Sequence, residues 1–189
     1  MTHFYYRLLL QRMPVCSEIK RFKKDSLFSN KPYKHYAKYY ILYKRVKKMK
    51  PRYVLELGSG ISTLIIGYAL KENGKGTLIS MEENSEYGKK VMSIIGDTYP
   101  VEMNIEGTVQ DVYKGIKGDR YKKIPQKEYN LIFIDGPRTQ DIDLDAFYIL
   151  EYRPKAEVLI DNRKKTFDAF KSRFNSRFNK IINIGYINI

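Results

Sequence analysis

The sequence predicts an α/β domain with a doubly wound, mostly parallel sheet and helices on both of its faces. Strand-like segments recur at regular intervals between residues 53 and 160, and helical patterns separate them. Several of these strands are continuously apolar, which is typical of strands covered by helices on both faces. A chain of 189 residues, 43% of them hydrophobic, is long enough to form one such domain with a substantial core.

A basic helix is predicted before the sheet, over Tyr33–Met49, and Pro51 ends it. Its apolar residues recur at helical spacing, while Lys and Arg cover the other faces. These apolar residues are Tyr39, Leu42, Val46 and Met49. We therefore expect a basic helical extension over residues 1–50 and the sheet domain over residues 51–189.

Five strands follow in the prediction: Tyr53–Leu57, Thr77–Met81, Val101–Ile105, Asn130–Ile134 and Glu157–Ile160. The helical segments between and after them are Thr63–Leu70, Ser85–Ile95, Asp143–Glu151 and Lys165–Phe178. The last stretch, Lys180–Ile189, is β-rich and forms either one edge strand or two strands split at Gly185–Tyr186.

The cysteine content and the apolar stretches limit the class of protein. Cys16 is the only cysteine, which excludes an internal disulfide and fits a reducing compartment. The first residues lack the layout of a signal peptide, because Arg7 interrupts their apolar run. No stretch reaches the roughly 18 apolar residues that a membrane span needs. We expect a soluble, cytoplasmic protein without a transmembrane segment.

The positive charge of the chain is concentrated near its start. The net charge is +14, and residues 20–52 contain thirteen Lys or Arg against one acid, Asp25. Tyr and Phe are interleaved with these cations, a composition that suits contact with RNA or with anionic lipid headgroups. A solvated helix face with long lysines is the alternative, although the charge exceeds what solubility needs.

A glycine-containing loop follows the first strand, in the sequence ELGSGIST (residues 56–63). Gly58 and Gly60 permit a tight turn and the close approach of a ligand, and the following helix offers free N–H groups. Ser59 lies between the glycines, and Ser62 replaces the third glycine of the dinucleotide-binding pattern. An ordinary turn between a strand and a helix is the alternative interpretation.

Two acidic residues indicate which ligand the loop binds. Glu82 ends the second strand 22 residues after Gly60, close to the spacing expected of a residue that binds ribose hydroxyls. Glu56 precedes the loop, where a carboxylate would repel a pyrophosphate but suit a ligand with an ammonium and a sulfonium. This favours S-adenosylmethionine (SAM) over NAD, and a dehydrogenase is the less favoured alternative.

Five motifs in order then resemble the class I SAM-dependent methyltransferases, which have a Rossmann-like sheet. They are ELGSGIST, MEEN (81–84), Gly107–Asp111 in the form G-x-x-Q-D, FIDGPR (133–138) and LIDN (159–162). The resemblance is to the metal-dependent, catechol-O-methyltransferase-like group and to related sugar and small-molecule O-methyltransferases. It implies that SAM contacts Glu82, Glu83 and Asp135, and that Gln110 and Asp111 lie along the adenine.

Polar residues end the fourth and fifth strands: Asp135, then Asp161 and Asn162. Adjacent parallel strands bring their carboxyl ends together, and two carboxylates with an amide oxygen suit Mg²⁺. In the family that the chain resembles, such a trio holds a cation that lowers the pKa of the hydroxyl to be methylated. Alternatively, Asp135 contacts only SAM, while Asp161 and Asn162 cap the next helix.

Arg138 departs from the family, which has a lysine at this position that can serve as a base. An arginine stays protonated and cannot take a proton, so either the metal alone acidifies the hydroxyl or another group serves as the base. The candidates for that group are Asp141, Asp143 and Lys164. Alternatively, Arg138 anchors an anionic substrate by a bidentate contact. With Asp135 and Asp161, Arg138 completes the predicted catalytic set.

The main hypothesis is a SAM-dependent methyltransferase that acts on a hydroxyl of a sugar or another small molecule, with help from Mg²⁺. A tRNA or rRNA methyltransferase that holds RNA with its basic segment is the first alternative. The second is a non-catalytic module that binds SAM or a nucleotide, in which Arg138 marks a lost active site.

Overall fold

Short apolar segments form the centre of the molecule, as predicted. A computed structural model describes residues 36–137, 141–152, 155–174 and 181–183. The strands in these ranges are β1 (Tyr53–Leu57), β2 (Thr77–Glu82), β3 (Val101–Ile105), β4 (Thr108–Tyr113), β5 (Ile116–Tyr121), β6 (Leu131–Ile134), β7 (Glu157–Ile160) and β8 (Ile181–Asn183). Six of them form one sheet in the order β3-β2-β1-β6-β7-β8, in which every described pair is parallel.

Helices cover both faces of this sheet. They are α1 (Tyr36–Met49), α2 (Ile61–Asn73), α3 (Ser85–Ile95), α4 (Asp145–Tyr152) and α5 (Lys164–Arg173). Side chains of α1, α2 and α3 form one hydrophobic cluster with residues such as Val54, and those of α4 and α5 form a second one with residues such as Leu55. Because neighbouring residues of a strand point to opposite faces, both faces of β1 are buried. The predicted doubly wound, Rossmann-like fold is confirmed.

The predicted elements are present with small shifts at their ends. Helix α2 is longer than predicted because it begins after Gly60 and ends at Gly74, which adopts a left-handed backbone. Strand β8 is the predicted edge strand, but residues 184–189 lie outside the described residues. Residues 33–35 of the first predicted helix and residues 175–178 of the last predicted helix also lie outside the described residues.

A second, two-stranded sheet was not predicted. Strands β4 and β5 pair antiparallel directly after β3, from Thr108 opposite Tyr121 to Tyr113 opposite Ile116. The hairpin is joined to the segment before α4, because the N–H of Asp119 donates to the carbonyl of Ile142 (2.9 Å). Its first strand contains the G-x-x-Q-D motif apart from Gly107, which directly precedes it.

The order of the strands determines where a ligand can bind. The chain runs from β1 outward through β2 and β3, and then returns to β6 on the other side of β1. Ligands of open α/β sheets bind at such a switch point, beyond the carboxyl ends of the strands. No helix in the described ranges is long and apolar enough to cross a membrane.

Candidate functional site

The loop after β1 meets the end of β6 at the switch point. The backbone of Gly58 has a φ of +90°, and a Cβ atom there would lie 2.5 Å from the Cα of Gly136. Only glycine accommodates both the backbone angle and the contact. The N–H of Gly58 donates to the carbonyl of Met81 (3.0 Å), so the loop is fixed to β2 as well.

A cleft of about 660 Å³ opens at the carboxyl ends of β1, β2 and β6. Its volume is in the range of sites that bind small molecules and cofactors. The structure brings five of the predicted cofactor-binding residues to its wall: Gly58, Ser59, Glu82, Glu83 and Asp135. The other lining residues are Asn84, Glu86, Tyr87, Tyr121, Gly136 and Pro137.

Glu82 links the two loops that border the cleft. One oxygen of its carboxylate accepts hydrogen bonds from the backbone N–H (3.1 Å) and the hydroxyl (2.7 Å) of Ser59. The other oxygen accepts a hydrogen bond from the N–H of Asn84 (2.9 Å). The carboxylate is thereby held in one orientation at the edge of the cleft.

Glu56 lies beneath the loop and not at its mouth. Its side chain is fully buried and is absent from the cleft wall, and Oε2 accepts hydrogen bonds from the hydroxyls of Thr63 and Ser80 (both 2.6 Å). Burial raises its pKa to about 7, although the hydrogen bonds from Ser62, Ser80 and Thr63 oppose the rise. The prediction that this carboxylate faces the ligand is therefore corrected: Glu56 shapes the loop from below.

Gly60 and Ser62 belong to the same buried support. The hydroxyl of Thr63 accepts a hydrogen bond from the N–H of Gly60 (2.8 Å), and Ser62 is 3% exposed with its hydroxyl bonded to Glu56. Neither residue is part of the cleft wall. They hold the start of α2 in place, and contact of either residue with a ligand stays a prediction.

Gln110 and Asp111 lie on β4, away from the cleft wall. Gln110 is exposed, and the carboxylate of Asp111 binds Arg120 and accepts a hydrogen bond from the hydroxyl of Tyr148 (3.1 Å). The structure thus does not bring this predicted adenine-binding pair to the site. The hairpin instead contributes Tyr121, which is 1% exposed and whose hydroxyl is 3.4 Å from the carbonyl oxygen of Met81.

Asp135 and Asp161 converge as predicted, but a lysine from α1 lies between them. The ammonium of Lys38 binds Oδ2 of Asp161 and is 3.5 Å from Oδ2 of Asp135. Lys38 and Asp161 are buried, whereas 37% of the Asp135 side chain is exposed and faces the cleft. The pKa of Asp135 is raised to about 7, because desolvation and the charge of Asp161 raise it by more than the ammonium of Lys38 lowers it.

A lysine lies between two of the predicted metal ligands, Asp135 and Asp161, and the third, Asn162, is exposed. Asn162 is exposed and has a left-handed backbone (φ +52°), a conformation that asparagine tolerates well, so it forms the turn after β7. Within the described ranges, no three His, Cys, Asp or Glu side chains are placed to hold a metal ion. The ammonium of Lys38 lies where a cation bound by both aspartates would lie.

The candidates for a general base are dispersed. Arg138 lies outside the described residues. Asp141 is exposed, with Oδ1 3.5 Å from Nζ of Lys165, Lys164 binds Asp168, and Asp143 is completely buried. None of these three lines the cleft.

Lys38 is not among the site residues that the sequence predicts, because it belongs to a basic segment that is expected to contact RNA, anionic lipid or solvent. Helical spacing contained the signal. Lys38 precedes Leu42 by four residues and Val46 by eight, so all three lie on the same face of α1, and that face is buried.

Comparisons with known proteins identify the family and the fold. The model of a family described as Methyltransferase domain matches residues 55–162. The solved structure of the O-methyltransferase TomG from Streptomyces achromogenes, which is involved in tomaymycin synthesis and was determined in complex with SAM, is 16% identical with a TM-score of 0.55. That match covers 83% of this chain and 69% of TomG. A methyltransferase from Geobacter sulfurreducens is 12% identical with a TM-score of 0.51, over 95% of this chain and 88% of its own.

No curated protein sequence matches the chain at a significant level. At identities of 16% and 12%, the similarity to these two solved structures establishes the fold. The family model covers more than half of the chain and establishes the family to which it belongs. The chain belongs to the methyltransferase-domain family and has the class I, SAM-dependent methyltransferase fold that its motifs resemble.

Proposed function

We propose that the chain is a SAM-dependent O-methyltransferase that binds SAM in the cleft and methylates a hydroxyl of a sugar or another small molecule. One observation carries this proposal: the glycine loop, Glu82 and Asp135 border the same cleft at the switch point of the sheet. The similarity to TomG, an O-methyltransferase whose structure contains SAM, supports the choice of both cofactor and reaction.

The charge of the cleft supports SAM over a dinucleotide. Four of its lining residues are acidic (Glu82, Glu83, Glu86 and Asp135), and the lining residues within the described ranges include no Lys or Arg. A pyrophosphate would be repelled there, whereas the sulfonium and ammonium of SAM would be attracted. Glu56 is not part of this acidic wall, because it lies beneath the loop.

The reaction needs two partners in line. The acceptor oxygen attacks the methyl carbon of SAM, the carbon–oxygen bond forms as the carbon–sulfur bond breaks, and the hydroxyl proton leaves to a carboxylate or to water. Asp135 is suited to bind that hydroxyl, because it ends β6 and its side chain is open to the cleft. Holding both partners in place supplies a large part of the rate acceleration in such reactions.

Calorimetric titration with SAM and S-adenosylhomocysteine tests the cofactor site. In Glu82→Gln we expect both ligands to bind about tenfold to a hundredfold more weakly, because a charged hydrogen-bond acceptor is lost. Glu86→Gln is the matched control: Glu86 also lines the cleft but is exposed, so its removal should change affinity by about twofold or less. Equal binding to wild type and Glu82→Gln, with both folded, would refute this site.

A further inference from the structure

Lys38 is held between two carboxyl groups by the way α1 packs on the domain. Tyr39, Leu42 and Val46 are buried in the core cluster that α1 shares with α2 and the sheet. Polar contacts fix the same helix further along: Arg45 binds Glu157 at the start of β7, and the side-chain amide of Asn73 donates to the carbonyl of Val46 (3.1 Å). The backbone of Lys38 is therefore held in a fixed position beside the two aspartates.

Lys38 already supplies a positive charge to the space between the two carboxyl groups. Lys38 is 8% exposed and Asp161 is 3% exposed, so water solvates neither charge well. Removing the ammonium would leave Asp161 as a buried, unpaired carboxylate, which is strongly unfavourable. Adding a divalent cation beside the ammonium would bring three positive charges together in a poorly solvated space.

Without the lysine, the two aspartates would offer carboxylate oxygens to a metal cation. Oδ1 of Asp161 is buried and has no hydrogen-bond partner within the described part of the chain, while Oδ2 is taken by Lys38. Asp135 contributes a second carboxylate with an open path to the cleft. Oxygen donors of this kind are the ones that Mg²⁺ and Mn²⁺ prefer.

We propose that Lys38 replaces the divalent cation of this site, so that its ammonium holds Asp135 and Asp161 together and the chain works without a metal ion. Lys38 acts through Asp135, which faces the cleft, and is therefore a positioning residue. This inference rests on the proposed function only for the reaction that the positioning serves.

Titration of the full chain with Mn²⁺, with free Mn²⁺ measured by electron paramagnetic resonance, tests the inference without SAM or an acceptor. Wild type should show no Mn²⁺ binding that Asp135→Asn or Asp161→Asn removes. Lys38→Gln, which keeps a polar side chain but removes its charge, should gain one Mn²⁺ site. Its affinity should be at least about tenfold higher than that of any nonspecific Mn²⁺ binding to wild type. Because no SAM is present, a failure here is distinct from a failure of cofactor binding.

Two further variants locate the new site. The double variant Lys38→Gln/Asp161→Asn should lose the added Mn²⁺ site, and Lys38→Arg, which restores a cation, should not gain one. Circular dichroism establishes that each variant is folded. Wild-type binding of Mn²⁺ that depends on Asp135 or Asp161 would overturn the inference, as would folded Lys38→Gln without a new site. If Lys38→Gln does not fold, the wild type and the aspartate variants decide. Wild-type Mn²⁺ binding that Asp135→Asn or Asp161→Asn removes overturns the inference, and the absence of such binding supports it.

Discussion

Glu56 shows how a single residue can shape a site that it does not line. Glu56 lies in β1, and its carboxyl group accepts hydrogen bonds from Thr63 of α2 and Ser80 of β2. It therefore connects three elements of the fold. It is fully buried, so the neutral form is favoured and its pKa rises from 4.5 to about 7. The protonated acid is the form that suits the folded chain.

This pKa predicts how stability depends on pH. A carboxyl with a raised pKa in the folded state contributes stability that is fully present below pH 4.5 and is lost as the pH rises to about 7. The free energy of unfolding of wild type, measured relative to Glu56→Gln, should therefore fall by about 3 kcal/mol across this range. Urea unfolding of both proteins at a series of pH values measures the difference.

Glu56→Gln is the suitable reference because glutamine keeps the shape and an acceptor oxygen without a titrating group. Glu56→Ala serves as the control for the hydrogen bonds, and we expect it to be less stable than Glu56→Gln at every pH. A difference between wild type and Glu56→Gln that does not vary with pH would contradict the raised pKa.

Sequence patterns located the local part of the site and missed the distant part. Gly58, Glu82 and Asp135 could be predicted to converge because each follows a parallel strand, and parallel strands bring their carboxyl ends together. Lys38 could not, since it is 97 residues from Asp135 and reaches it only through helix packing. Whether the converging residues bind a cofactor stays a prediction.

The contact between the loop after β1 and the end of β6 is the most demanding feature at the level of elements. The backbones of Gly58 and Gly136 approach so closely that there is no space for a side chain at Gly58. The N–H of Asp135 also donates to the carbonyl of Leu57 (2.9 Å), which continues the pairing of β1 with β6. The position of Asp135 at the cleft therefore depends on this contact.

Gly58→Ala tests that dependence, with Gly74→Ala as its matched control. Both glycines have a positive φ, but a Cβ at Gly74 would meet no atom within 4 Å. We expect Gly74→Ala to lose about 1–2 kcal/mol from the backbone angle alone. Gly58→Ala should lose about 3 kcal/mol or more and also weaken SAM binding, because the overlap displaces Gly136. Equal losses in denaturant unfolding would contradict this account.

The alternation of strands and helices was predictable because buried parallel strands are short, apolar runs. The β4–β5 hairpin was not, because its second strand reads IKGDRY, with three charged residues and a glycine. Cross-strand pairing and its hydrogen bonds to the segment before α4 stabilise it, and neither is visible in a hydrophobic pattern. The sequence therefore predicts that the G-x-x-Q-D motif lies at the cleft, whereas Tyr121 is the only residue of β4 and β5 that lines it.

At the scale of the whole molecule, charge separates into two regions. The cleft wall is acidic, whereas α1 carries many of the cations of the basic segment. Some of them are paired with the body of the domain: Lys38 with the aspartates, Arg45 with Glu157 and Lys47 with Glu72. Lys44 and Lys48 are exposed, and residues 20–35 lie outside the described residues. Contact of this segment with RNA or with anionic lipid stays a prediction.

The central claim is that the chain transfers a methyl group from SAM to a small-molecule hydroxyl. The most direct measurement supplies SAM with a labelled methyl group, together with a panel of sugars and hydroxylated small molecules and, separately, total RNA. Our account predicts label in a small-molecule ether, at an equal rate with and without a chelator of divalent cations, and none in RNA. Label in RNA alone, or no transfer to any acceptor by a chain that binds SAM, would contradict it.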